Sequence, residues 1–427
     1  MHMNEAVVIG GGIAGITAAL DIAGHGIHVS LIEREASIGG HMAMLDKTFP
    51  TNDCSMCILS PKMVEVERHP NITLYTCTEV TAIEGEAGNF SVHVTSHPRF
   101  IKEEDCTGCG DCVEVCPVEV YNRFDAGVGV RKAIYKAHPQ VVPNLVIRDK
   151  DHCIDCGLCY DVCGKQAVLR DNEDTEKDFI LNAGTIVIAT GYDVFDARKK
   201  TPYKYLSIPD VITSLEFERI INASGPTGGK IKRISDGRVP KEIVFIQCVG
   251  SRDIPLGCPS CSAVCCMYAI KNAMLIKEKS PDIRVSILYM DIRAYGKGYQ
   301  EYYDRAEALG VRFIRGMPGD IYSTNGTVSV VVENTETKEV EKINADLVVL
   351  SVGIRPNEDA SAIAEKFGIT CDDTGFFSCA DEKCGPVKTL KPGIFIAGTC
   401  KEPMDIPDSV MEGGAAAMQA VMTMMRG

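Results

Sequence analysis

Tryptophan is absent from this chain, and only 9 of its 427 residues are histidine. No Ser-His-Asp grouping and no paired carboxylates stand out, so the sequence offers no hydrolytic centre. No run of about 18 apolar residues occurs, which excludes a membrane-spanning helix. A basic excess is also missing: 44 Lys and Arg stand against 58 Asp and Glu, a formal charge of −14. Binding to a phosphate backbone needs a basic surface, so no nucleic-acid partner is expected. The opening segment MHMNEAVVIGGG carries no basic stretch and no cleavage site, and a secretory leader is not expected there.

What the chain has in excess is cysteine, 20 in all. In a secreted protein that number would indicate a disulfide framework. Here no export signal is read and many cysteines fall in tight C-x-x-C runs, so metal ligation in a reducing, anoxic cytoplasm is the expectation. Thiolates bound to clusters would make the true charge more negative still. The length calls for two or three domains.

Residues 5–33 read as strand (AVVI), glycine turn, helix (IAGITAALDIAG) and strand (HVSLIE). Residues 72–95 alternate apolar and polar, which suggests an antiparallel meander. From about Phe100 to Asp171 the composition shifts to Cys, Gly, Asp and Pro; NAGTIVIATGY (182–192) then returns to a buried-strand pattern. The cysteine-rich block therefore reads as an insertion. A second βα pattern occupies 205–320, followed by two apolar strands, ADLVVLSV and GIFIAG, and a small-residue helix. The expected organisation is a flavin-binding domain in three pieces (1–99, 173–204 and 346–427), an inserted ferredoxin domain (100–172), and a second dinucleotide-type segment (205–345).

Gly10, Gly12 and Gly15 form G-x-G-x-x-G between the first strand and helix, and Glu33 ends the second strand. The first glycine makes the tight turn, the second lets a pyrophosphate approach the backbone, and the third lets helix and strand pack closely. The helix N-terminus faces the phosphates, and Glu33 can accept bonds from ribose hydroxyls. Ile13 and Ala14 share that turn. TIVIATG (185–191) and GIFIAGT (393–399) are similar to the strand ends flanking FAD in two-dinucleotide-domain flavoproteins such as thioredoxin reductase. That resemblance implies FAD rather than NAD. It implies cofactor contacts at Gly39, Gly40, Val80, Ala189, Thr190, Gly191, Gly398 and Thr399, with Thr399 standing where such proteins usually carry Asp.

Cys106, Cys109, Cys112 and Cys116 read C-x2-C-x2-C-x3-C-P, and Cys153, Cys156, Cys159 and Cys163 repeat the spacing with Gly164 in place of proline. Loops of this spacing bring three thiolates to one four-iron cube, while the fourth cysteine ligates the other cube. One [4Fe-4S] cluster is expected on Cys106, Cys109, Cys112 and Cys163, and a second on Cys153, Cys156, Cys159 and Cys116. Zinc favours paired C-x2-C knuckles over such quartets.

The strand EIVFIQ is followed by Cys248-Val-Gly-Ser and not by a second glycine fingerprint. Cys258, Cys261, Cys265 and Cys266 come next. At this point the chain resembles the A subunit of heterodisulfide reductase, whose pattern C-x12-C-x3-C-C is met by Cys248, Cys261, Cys265 and Cys266. FPTNDCSMCILSPKM (49–63), SVGIRPN (351–357) and GIFIAGTCKEPMDIPDSV (393–410) extend the resemblance over essentially the whole chain. It implies a thioredoxin-reductase-like two-dinucleotide-domain α/β fold with the inserted bacterial-type ferredoxin. It also implies FAD and three [4Fe-4S] clusters, the third on those four cysteines, in a compact form without the family's N-terminal extension and C-terminal ferredoxin. The implied activity is electron transfer at FAD, with bifurcation between two-electron carriers and one-electron ferredoxin. The implied partners are the B and C subunits of that enzyme type, or hydrogenase-, formate dehydrogenase- or acyl-CoA-reductase-type subunits, together with ferredoxin and a second copy of the chain.

Other readings remain open. Lys271 matches a family lysine near the flavin ring, or is a surface lysine on an amphipathic helix. Cys54 and Cys57 form a C-x-x-C that could be a redox dithiol facing the flavin, ligands to a further cluster, or part of the pocket wall. Cys400, after the flavin strand, could join either the redox pair or the further cluster, and Cys258 lies outside the C-x12-C-x3-C-C pattern and leaves that ligand set open. The whole chain could instead be a stand-alone NAD(P)H-dependent reductase, which the missing second fingerprint opposes, or a non-catalytic cluster-bearing scaffold.

Overall fold

The computed structural model describes residues 5–324 and 326–426; Met1–Asn4, where the leader question lies, are outside them. The strand Glu5–Ile9 is apolar on both faces and is accordingly covered on both. It forms the centre of a five-stranded parallel sheet. On one side lie Thr185–Ile188 and Ile394–Ile396, on the other His28–Ile32 and Ile72–Tyr75. Ala6 and Val8 pack under the helices Ile13–Gly24, Ser55–Arg68 and Ile406–Arg426. Val7 and Ile9 face the opposite layer, a three-stranded antiparallel meander of Thr78–Glu86, Asn89–Ser96 and Lys177–Ala183.

The same plan recurs in the second domain. Val211–Thr213, Leu347–Val352, Glu242–Val249, Arg284–Tyr289 and Arg312–Arg315 form a parallel sheet in that order. Helices Ser214–Ile221, Cys265–Lys279 and Tyr299–Ala308 cover one face. A meander of Pro318–Thr324, Thr327–Asn334 and Glu339–Ala345 covers the other. The chain passes between the two domains at Asp193–Val194 and Ile354–Arg355, which pair with each other.

Three expectations are corrected. Leu347–Val352 belongs to the second sheet, so the boundary expected at 346 comes about eight residues too early, and the one expected at 205 comes late. An all-apolar strand suits either parallel sheet equally, and only its register with Val211–Thr213 and Glu242–Val249 decides. Ile72–Tyr75 likewise edges the parallel sheet and is not part of the meander.

The cysteine-rich block leaves the first meander after Ser96 and re-enters it at Lys177. It contains the short helices Asp111–Glu114 and Leu158–Val162 and a small core of Ile101, Cys112, Ile134, Val146, Cys159 and Val168. Arg99 fastens its base by donating to Ala36 O (3.3 Å) and Thr76 Oγ1 (2.5 Å). Its far loop is held by Ser37, whose Oγ accepts the Val142 N–H (2.9 Å) and lies 3.2 Å from His138 Nε2. No described helix is long and apolar enough to cross a membrane.

Candidate functional site: a dinucleotide turn and three thiol sets

The glycine turn has the shape its spacing requires. Gly10 takes φ +104°, and a Cβ there would lie 2.3 Å from Ala189 O. A Cβ at Gly15 would sit 1.9 Å from Gly10 O, so helix and turn can meet only without one. Gly12 differs: it caps the helix Ile13–Gly24 in extended conformation, and a Cβ would meet nothing within 4 Å. This open space at a helix N-terminus is where a pyrophosphate fits.

The surroundings close on that space. Gly39 N–H donates to Gly11 O (2.8 Å), and Gly40 lies against Gly12. Glu33 accepts N–H bonds from Gly11 (2.7 Å) and Glu35 (2.9 Å), and burial pushes its carboxyl pKa above the usual value. Thr190 Oγ1 and Asn357 Oδ1 are buried without a partner, while Asn357 Nδ2 donates to Thr190 O (3.1 Å). Such orphaned groups beside an open cradle suit a polar ligand. Ala189 continues the central pairing to Ile9 O. Gly191, just beyond it at φ +74°, has open space where a Cβ would stand. Gly398 presses on Ala14, and its N–H donates to Glu412 Oε2 (3.0 Å). Glu412, paired with Lys401, thus stands beside Thr399 where the sequence lacks the usual Asp. Ile13 opens the helix, and Val80 packs at a bulge of the meander against its core.

Sequence reasoning missed one pair here. The rings of His41 and Tyr192 stack at 4.3 Å between centroids. Burial holds the imidazole down at about 4, so it is neutral near pH 7, and burial likewise raises the phenol. His41 directly follows Gly39-Gly40 and Tyr192 directly follows Gly191, so adjacency to predicted cofactor residues was the available signal.

The ferredoxin cysteines gather across the repeat. Burial, reinforced by Cys106, Cys109 and Cys163, pushes the Cys112 thiol up to about 12. Cys163 of the second quartet therefore stands with three members of the first. Cys116 in turn lines one cavity with Cys153, Cys156 and Cys159, beside Ile134 and Arg148. Arg148, bonded to Asp171, points a guanidinium N–H at Cys153 Sγ (3.6 Å).

A third set forms at the carboxyl end of Glu242–Val249 and the start of Cys265–Lys279. Burial, then Cys266 and Cys261, pushes the Cys248 thiol up to about 12. Cys265 is raised by burial and by Cys248, Cys266 and Cys261. Four cysteines gathered at one strand end and one helix start suit a shared cluster, whose positive charge would offset the cost of ionising thiols in a buried place. Cys258 is not among them: it donates to Leu256 O (3.3 Å) and packs in the core beneath the second meander. Cys400 is a core thiol donating to Ile188 O and Ala397 O. After burial, the charges of Cys265 and Glu218 raise the Tyr192 phenol further, so both lie within electrostatic range of the residue that follows Gly191.

Lys271 is neither a surface lysine nor a free cation. Its ammonium is 1% exposed, pairs with Glu218, and donates to Lys47 O (3.0 Å). Glu218 also accepts the Asp46 N–H (3.0 Å), and the adjacent Arg219 reaches Met44 O and Asp125. The helix Ser214–Ile221 thus ties all three modules together. Cys54 and Cys57 are joined as a disulfide at the start of Ser55–Arg68.

Three family models match segments of the chain. Residues 105–168 match a 4Fe-4S dicluster domain, 8–56 an NAD(P)-binding Rossmann-like domain, and 278–420 a pyridine nucleotide-disulphide oxidoreductase domain. The chain is 50% identical, over 99% of its length, to the A subunit of the H(2):CoB-CoM heterodisulfide,ferredoxin reductase of Methanothermobacter marburgensis. It is 52% identical, again over 99%, to the second iron-sulfur A subunit of the CoB–CoM heterodisulfide reductase of Methanopyrus kandleri. It spans 64% and 65% of those relatives. Among solved structures, the thioredoxin reductases of T. acidophilum (TM-score 0.55, 15% identity) and Lactococcus lactis (0.54, 18%) share the fold over 99% of both chains.

Proposed function

The chain belongs to the heterodisulfide reductase A-subunit family, and from that premise we infer that it is the flavin- and iron–sulfur-containing electron-transfer component of a larger oxidoreductase. The observation that carries this reading is the third thiol set. It begins with Cys248 at the carboxyl end of Glu242–Val249, where a nicotinamide-binding protein of this fold would need a glycine fingerprint.

The open space at Gly12, the carboxylate of Glu33 and the unpartnered Thr190 and Asn357 would hold FAD. FAD supplies the chemistry that converts two-electron to one-electron transfer. Two [4Fe-4S] clusters belong on Cys106, Cys109, Cys112, Cys163 and on Cys116, Cys153, Cys156, Cys159, with a third on Cys248, Cys261, Cys265 and Cys266. The chain's own part is placement. Ser37, His138 and Val142 dock the ferredoxin insert on the loop leading to Gly39, and the Glu218–Lys271 pair locks the second domain to the segment after it. His41, neutral near pH 7 and stacked on Tyr192, joins the loop after Gly39-Gly40 to the one after Gly191.

The relatives are subunits of reductases that act on a heterodisulfide and ferredoxin, which supports ferredoxin and further redox subunits as partners of this chain; a second copy of the chain is proposed on the family resemblance alone. Bifurcation at FAD is the reaction that such a two-branch arrangement serves. The test is composition followed by reduction. Anoxically purified protein should hold one FAD and about twelve irons. About eight irons would remove the third cluster, and rapid bleaching of the flavin by NADH alone would replace this reading with an NAD(P)H reductase.

A further inference from the structure

Cys54 and Cys57 are the only cysteines among the described residues joined to one another. Cys54 is the N-cap of Ser55–Arg68, and its sulfur accepts the Cys57 N–H at 3.2 Å. The buried face of that helix, Leu59, Met63 and Val66, packs on the core beneath the glycine turn. Cys57 lies on the other face. It is exposed, and Pro61, Glu65 and Arg68 continue that exposed stripe at intervals of four, four and three residues. Its sulfur therefore looks to solvent and not into the flavin cradle.

The backbone around the pair is clamped. Ser55 Oγ donates to Met42 O (3.0 Å) and Leu45 O (2.8 Å), Cys54 bridges to Lys47, and Tyr302 OH donates to Asn52 Oδ1 (2.5 Å). The disulfide can open without releasing the loop.

We propose that Cys54 and Cys57 form a redox-active pair that exchanges two electrons with thiol–disulfide compounds arriving from solvent. An incoming thiolate attacks Cys57 Sγ, forms a mixed disulfide, and expels Cys54 as a thiolate. The Cys57 N–H and the helix N-terminus stabilise that leaving group. A second thiolate attacks the incoming sulfur of the mixed disulfide, releases the external disulfide, and leaves Cys57 as a thiolate. Two external thiols are oxidised and the pair gains two electrons; an external disulfide drives the reverse. The inference is independent of FAD and of the clusters, so its failure leaves the family reading intact.

The experiment equilibrates the anoxic full chain in mixtures of reduced and oxidised dithiothreitol, then alkylates with iodoacetamide. Mass spectrometry of the tryptic peptide 48–62, which holds both cysteines and no internal Lys or Arg, reads the outcome. Two alkyl groups should appear and disappear reversibly while FAD and iron contents stay constant. In Cys57→Ser, Cys54 should alkylate at neutral pH about tenfold faster than a cysteine in an unstructured peptide. A pair that stays oxidised until denaturant is added would overturn the proposal in favour of a structural staple. An unlabelled peptide, with iron falling by about four atoms in the Cys54→Ser/Cys57→Ser variant, would overturn it in favour of cluster ligation.

Discussion

Replacing Lys271 by Met probes a buried ion pair inside the second domain whose two members also bond the first domain at Asp46 and Lys47. The ammonium and the Glu218 carboxylate are 1% and 4% exposed, and Glu218 keeps only the Asp46 N–H once Lys271 is gone. A buried carboxylate stripped of its cation costs roughly 3–5 kcal/mol. Spread over a second domain of ordinary size, at about 2–4 °C per kcal/mol, this lowers the unfolding midpoint by roughly 10 °C. Glu218→Leu should cost a similar amount, because it strands the ammonium on Lys47 O alone. The double variant removes both charges and should recover to within about 1 kcal/mol of the parent, since well-packed apolar replacements of buried pairs are near neutral. Anoxic thermal unfolding followed by circular dichroism reads all four proteins. Single variants within about 1 kcal/mol of the parent, or a double variant as damaged as the two singles added together, would refute the reasoning.

Three further outcomes are expected. Burial holds His138 down at about 4, whereas the unfolded chain protonates near 6.5. The folded state thus binds fewer protons between those values, so stability is full above pH 6.5 and falls as pH drops toward 4, by up to roughly 3 kcal/mol. His138→Gln should flatten part of that acid limb in urea titrations, His41 supplying a parallel contribution; an unchanged limb would contradict the burial argument. Gly12→Val fills the open space at the helix start and should abolish FAD binding while cluster absorbance persists; full flavin occupancy would move the site elsewhere. Cys109→Ser should lower iron content by about four atoms and leave FAD content unchanged, and retention of all iron would dissolve the first ligand set.

The parts legible beforehand were those whose chemistry dictates a spacing. Gly10, Gly12 and Gly15 each answer a separate steric demand of one turn, so three positions suffice to place it. The two cysteine quartets carry their cross-over in the C-x3-C step, and Cys163 does stand with Cys112. What escaped was pairing between distant segments. Lys271 reads as one more cation on an amphipathic helix because Glu218 lies on another helix with an unremarkable pattern. His41 and Tyr192 meet only because the loops leaving His28–Ile32 and Thr185–Ile188 emerge at the same end of one parallel sheet, on either side of Glu5–Ile9. Leu347–Val352 looked the same to either sheet, because a strand buried on both faces carries no alternation to say which layer owns it.

The ferredoxin block enters after Ser96 and leaves before Lys177, and these two residues face each other as register partners. Topologically the whole module is the loop of a hairpin. Its two ends sit one strand spacing apart, where two residues could have turned the chain instead. Closing so long a loop costs only slightly more entropy than closing a short one, because the penalty grows with the logarithm of length. A turn joining Ser96 to Lys177 should therefore leave the meander intact, while stripping Arg219 of Asp125 and Ser37 of His138 and Val142. Wiring was added to this fold without redrawing it.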